Sequence, residues 1–158
     1  MTVAPLVDAP PLRRQSPPQL VKAASPAAGA NFVQHVDDGL WWRLITVFCR
    51  LVTSADAADR GLRIEYRDEA DNIYAVMGNP VTYPANTTED FAFSIFQGQG
   101  EWEVVATNLV PLHPILLQPA HDFAITVGSI DNTDQLSRVR FLVEKFYPPS
   151  ADDYPAFD

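Results

Sequence analysis

From Leu40 onward the chain reads as a succession of short β-strands. Residues 40–53 (LWWRLITVFCRLVT) are rich in aromatic and β-branched types and are apolar at both parities, the pattern of a long strand covered on both faces. Residues 61–67 alternate cleanly, with Leu62, Ile64 and Tyr66 on one face and Arg63, Glu65 and Arg67 on the other, so this strand is half-buried. The polar run at 68–72 (DEADN) leads into an apolar stretch at 73–77, and the two strands make a hairpin. Residues 79–88 read as a loop. Further strands are expected at 91–96, 101–109, 122–127 and 138–147, and 129–137 is a polar connection with room for one helical turn. Ile45, Val47, Ile64, Phe93, Val104, Ile125 and Phe141 are the expected core.

Seven or eight short strands with turn signals between them, and no amphipathic helix, predict an all-β body over residues 37–147: an antiparallel β-sandwich. An immunoglobulin arrangement lacks its cysteine pair, since the chain holds a single Cys, and a jelly-roll winding is expected instead.

Residues 1–36 behave differently. They hold six of the fourteen Pro, including Pro10-Pro11 and Pro17-Pro18, and no apolar period of strand or helix. Such a composition favours extended, partly polyproline II backbone, whose polar groups stay open to another surface. The segment is expected to be an arm outside the core. It carries too little apolar area to offset an ordering entropy of roughly 1–2 kcal/mol per residue, so it should order against an external surface. A solvated linker is the alternative. The tail at 148–158 returns to proline and acid.

Charge sharpens this division. The arm carries three cations against one anion, a net of +2, and the rest carries eight against nineteen, −11, which together make the −9 of the chain. A basic arm on an acidic globule suggests an interaction tail. The acidic total disfavours nucleic acid and anionic lipid as partners. Seven Gly leave little for loops that cradle phosphates. There is no basic-then-apolar leader and no run of about eighteen apolar residues, so a soluble protein made in a cytoplasm is expected, with no membrane partner.

Candidate chemistry is sparse. Cys49 sits in an apolar run and reads as a small buried hydrophobe. His35, His113 and His121 lack metal-ligand spacing. The run 131–134 (DNTD) offers oxygen donors without the central Gly and closing Glu of an EF-hand loop, and reads as a turn built by Asn and Asp side chains. Glu101 and Glu103 share a strand face; paired carboxylates can hydrolyse glycosides, but alternating acids mark a solvent face. Asn86-Thr87-Thr88 matches the glycosylation pattern and, with no secretory leader expected, reads as a chance match. No nucleophile elbow, zinc-helix motif or P-loop occurs, so no catalytic residue, metal or cofactor is expected.

Trp41 and Trp42 are adjacent in an expected strand and must point to opposite faces. One enters the core. The other needs a cover: the arm, the chain's own loops, a partner subunit or a bound sugar.

Two stretches resemble virion proteins of tailed bacteriophages, particularly the small β-sandwich decoration or cement proteins of capsids. One is the apolar strand running into LVTSADAADR (51–60) and LRIEYRD (62–68), and the other runs from ILLQP (115–119) through HDFAITVGSIDNTDQLSRVRFLVEKF (121–146). The resemblance implies a non-enzymatic structural protein that binds the outer surface of the major capsid protein lattice and stabilises the particle. In that setting Leu6, Val7, Leu12, Leu20, Val21 and Phe32 would be apolar anchors of a capsid-binding arm, while Arg13, Arg14 and Lys22 would meet acidic capsid groups. Trp41 and Trp42 mark the expected interface of a homo-oligomer, with a trimer favoured. The second class of function is a receptor- or glycan-binding module using Trp102, Tyr83 or Tyr154 for stacking.

Overall fold

The computed structural model describes residues 13–14, 17–96 and 108–147, and these form an all-β structure of two sheets packed face to face. Eleven strands run in chain order: β1 (Arg13–Arg14), β2 (Gln19–Lys22), β3 (Phe32–His35), β4 (Trp41–Val52), β5 (Arg60–Arg67), β6 (Ile73–Tyr83), β7 (Thr88–Ser94), β8 (Asn108–Pro111), β9 (Leu116–Leu117), β10 (Asp122–Val127) and β11 (Gln135–Tyr147). The larger sheet has the order β1-β11-β4-β7-β8, with β2 also on β11 and β9 also on β4; the smaller has the order β3-β10-β5-β6. Every pairing is antiparallel except β7 with β8.

The core lies between the sheets. Phe123 of the smaller sheet meets Phe141 of the larger edge-on at 5.1 Å between ring centroids, Phe141 lies 6.0 Å from Trp42, and Phe32 lies 5.9 Å from Phe123. Ile45, Val47, Ile64, Phe93, Ile125 and Phe141 are buried as expected, and Val104 lies outside the described residues. No helix occurs among the described residues, so the 129–137 connection holds none.

The sandwich begins earlier than residue 37. β2 pairs with Arg140–Val143 of β11, β3 pairs with Asp122–Ile125 of β10, and Phe32 and Val36 are core residues. These strands escape a hydrophobic pattern because main-chain pairing holds them: β2 is solvent-facing at Gln19, Leu20 and Lys22, and Val21 alone leans on the core. Gly29 ties the crossover between them. It adopts φ +72°, donates to the Asp134 carbonyl at 2.8 Å, and a Cβ there would come within 2.6 Å of Asn132 Cα.

Apolar residues at both parities of 40–53 have a different cause from the expected double cover. Thr46 pairs with Leu142 while Leu44 pairs with Val143, leaving Ile45 as the extra residue of a β-bulge. The bulge shifts the phase. Trp42 and Leu44 face the core before it, Val47, Cys49 and Leu51 after it, and Phe48 and Arg50 turn outward. The expected hairpin is β5–β6, closed by Asp68, whose Oδ1 accepts the Ala70 and Asn72 amides at 2.9 Å each. β6 runs on to Tyr83 through a second irregularity, so strand occupies part of the expected 79–88 loop.

Candidate interaction surface

The arm residues are divided between edge, face and core. Leu6, Val7 and Leu12 lie outside the described residues. Arg13 and Arg14 form β1, opposite Tyr147 and Phe146 at the end of β11. Leu20 is 57% exposed and Lys22 is exposed, both on the outer face of the larger sheet, whereas Val21 packs inward. Phe32 is 7% exposed and stacked in the core, so it has no surface to offer a partner.

The two tryptophans separate as strand geometry demands. Trp42 is 2% exposed and packs against Phe141, with the Lys145 ammonium 4.7 Å from its ring centroid and 2.5 Å from Asp37 Oδ2. Its Nε1 has no hydrogen-bond partner among the described residues, a condition shared by the buried Tyr66 hydroxyl. Trp41 is half-buried on the other face. Trp42 thus belongs to the chain's own core rather than to an interface.

On the outer face of the larger sheet, register places Lys22 opposite Arg140, Arg140 opposite Phe48, Phe48 opposite Ala92 and Ala92 opposite Leu109. The next row is Leu20, Leu142, Thr46, Ser94 and Pro111. Leu109 is 60% exposed, and Phe48 and Leu142 are half-buried. Arg50 grips Asp90 with two bonds of 2.7 and 2.5 Å, which hold the Asp90 carboxyl below its usual range. Arg43 bonds Glu144 with Nε at 2.7 Å and again through its Nη2. Lys22 and Arg140 have no ion pair among the described residues.

The outer face of the smaller sheet is self-neutralised around Glu65. That carboxylate is buried, yet it accepts from Arg67 at 2.7 Å and Thr126 at 3.1 Å and pairs with Arg63 at 2.7 Å. Burial alone would raise its pKa; these partners outweigh burial and lower it. At the end of this sheet a groove of about 630 Å³ is lined by Asp38, Asp68, Glu69, Asp71 and Asp122 together with Val33, His35 and Arg67. His35 Nδ1 lies 2.5 Å from Asp122 Oδ1, and the Tyr74 hydroxyl lies 3.2 Å from His121 Nδ1.

Other candidates take structural places. Cys49 is buried and its thiol is pushed up by burial and the Asp90 charge, away from the reactive thiolate. Asp131 accepts from the Thr133 amide at 2.9 Å and hydroxyl at 2.8 Å, which closes the DNTD turn. Tyr83 is buried against Phe91, and Trp102, Tyr154, Glu101 and Glu103 lie outside the described residues. Among the described residues, no group of three or more His, Cys, Asp or Glu side chains is placed to hold a metal ion. The sequence matches no protein-family model and no curated protein at a significant level.

Proposed function

We propose that the chain is a non-enzymatic decoration or cement protein of a tailed-phage particle, made in the host cytoplasm, that sits on the outer surface of the major capsid protein lattice and stabilises it. One observation carries this reading: the N-terminal segment joins the sandwich by strand addition, with β1 and β2 laid along the outer edge of β11. A strand held by main-chain bonds at the rim of a rigid body is a good mount for the residues that precede it. Leu6, Val7 and Leu12 then supply apolar anchors to the capsid, and Arg13 and Arg14 meet acidic groups. Exposed ion pairs are worth about 0–1 kcal/mol each, so apolar and backbone contacts dominate while charge sets register and encounter rate. A repeated lattice multiplies such modest contacts through avidity.

The nested pairing of early strands with late ones, β4 with β11 and β3 and β5 with β10, supports a jelly-roll winding. The pairs Arg43–Glu144 and Arg50–Asp90 and the cluster of Glu65 with Arg63 and Arg67 are taken up within the sheets, which fits the non-enzymatic reading. Co-sedimentation with undecorated capsids tests it. Deleting residues 2–12, which spares β1 and β2, should abolish binding and leave the sandwich folded; binding at unchanged affinity would refute the arm mechanism.

A further inference from the structure

Lys22 and Arg140 are direct cross-strand partners on an open sheet face. Like charges at that spacing, about 4.5–5.5 Å between Cβ atoms, destabilise a sheet. The chain has twenty acidic residues against eleven basic ones, so a neighbouring carboxylate would be easy to supply, yet none reaches either cation among the described residues. Arg138 adds to the same field. It sits in the second bulge of the β4–β11 ladder at φ +53°, exposed, and it helps lower the Asp90 pKa without forming an ion pair among the described residues. Bulges re-aim side chains, and a non-glycine residue in the left-handed region is held there at a cost. Leu20, Phe48 and Leu142 lie beside these cations and Leu109 stands at the far edge of the same face on β8, so apolar side chains share the outer face with the cations.

The complement is on the same chain. The groove at the end of the smaller sheet has five carboxylates in its lining; Asp71 pairs with Arg67 and Asp122 with His35, Asp68 closes its own turn, and Asp38 and Glu69 stand exposed without an ion pair among the described residues, with Val33, 42% exposed, adding apolar surface beside them. We propose that these two surfaces are the halves of one interface: the acidic groove of one copy docks on the basic, apolar face of the next. The contact joins different patches, so copies associate head to tail and form a closed ring when the rotation between them closes. A three-membered ring is the smallest such assembly beyond a pair and suits the expected trimer. Carboxylates reaching Lys22 and Arg140 relieve their repulsion, and Leu20 and Leu109 are covered. The assignment does not depend on the capsid reading.

Sedimentation velocity on the full chain tests it. The wild type should self-associate at low salt and dissociate as salt rises, because the rim of the contact is ionic. Lys22→Glu with Arg140→Glu should weaken association by at least about tenfold, and so should Asp38→Lys with Glu69→Lys. All four side chains are exposed, so both variants should keep the wild-type melting temperature within a few degrees. An equimolar mixture of the two should regain association as mixed pairs, since the reversed face of one variant meets the reversed groove of the other, while a three-membered ring, which would need one contact between like variants, should not close. A wild type that stays monomeric at every concentration overturns the proposal, as do variants that associate like the wild type. If the wild type is monomeric and the Lys22/Arg140 variant loses only capsid binding, the face belongs to the capsid and not to a second copy.

Discussion

Arg60 and Asp134 form a fully buried ion pair, each with 0% side-chain exposure, joining the first residue of β5 to the turn before β11. Arg60 Nε donates to Asp134 Oδ2 at 2.9 Å, and the guanidinium also reaches the Asp56 and Ala58 carbonyls at 2.7 and 2.6 Å and the Ser54 hydroxyl at 2.9 Å. Asp134 accepts the Ser54 and Asp131 amides at 2.6 and 2.8 Å. The pair stitches both sheets at one end of the sandwich, and with this many hydrogen bonds neither charge is left uncompensated.

Breaking the pair from one side strands the other charge. Asp134→Asn or Arg60→Met should each cost roughly 3–5 kcal/mol in urea unfolding. The double variant should be less destabilised than the sum of the two, a coupling that a double-mutant cycle reads.

Acid should act through the same residue. Burial raises the Asp134 pKa, but Arg60 and the two backbone amides outweigh it and hold the carboxyl at about 2, against an ordinary 3.8. A carboxyl depressed in the folded state stabilises when ionised, so its contribution is complete above about pH 5 and is lost as pH falls toward 2. That loss amounts to about 2 kcal/mol. Melting temperatures measured from pH 6 to pH 2 should fall through this window for the wild type, and Asp134→Asn should flatten part of the slope.

The tryptophans should differ sharply. Trp42→Ala opens the core and should cost about 3–5 kcal/mol, while Trp41→Ala should cost well under half of that. Tyr66→Phe removes a buried hydroxyl that lacks a partner among the described residues and should be neutral or stabilising by up to about 1 kcal/mol in thermal melts.

Gly29→Ala should be worse than Gly39→Ala although both glycines have positive φ, +72° and +70°. Alanine at 39 meets nothing within 4 Å and should cost about 1 kcal/mol, whereas at 29 it strikes the Asn132 backbone. Chemical denaturation of the two variants gives the comparison.

Truncation should show where the arm stops being separable. Deleting residues 2–12 should leave stability near wild type, whereas deleting 2–30 removes β1, β2 and Gly29 and bares the main chain of β11 at Arg140–Val143. The longer deletion should lower the melting temperature by several degrees and promote aggregation through that open edge, measured by light scattering.

The strands legible in the sequence are those whose side chains alternate against the core in one phase, as in β5 and β10. β2 is hidden because its hold is largely main-chain bonding, which leaves little mark in side-chain pattern, and β3 because within its four residues Phe32 alone is buried, too few to show an alternation. The phase change at Ile45 looks in one dimension like a strand buried on both sides; only the ladder with β11 reveals a bulge. Asp134 could be read as a turn residue, but not as the partner of Arg60, because their meeting depends on tertiary packing. Lys22 and Arg140 are likewise unremarkable as single charges; a register linking distant positions makes them neighbours.

That register also orders events in time. β11 is the last described strand of the chain, yet it is the partner of its first two and of β4. On a ribosome the N-terminal strands emerge long before their template exists, and the opposite edge of β4 waits equally unpaired until residues 135–147 appear. Assembly of the larger sheet is therefore a late event, slowed by the entropy of closing nearly the whole chain into a loop. Prolines, which lack the amide an edge pairing needs, and cations are residues that disfavour wrong pairing in such an interval, and the sequence places Pro17-Pro18 directly before β2 and Arg13-Arg14 in β1.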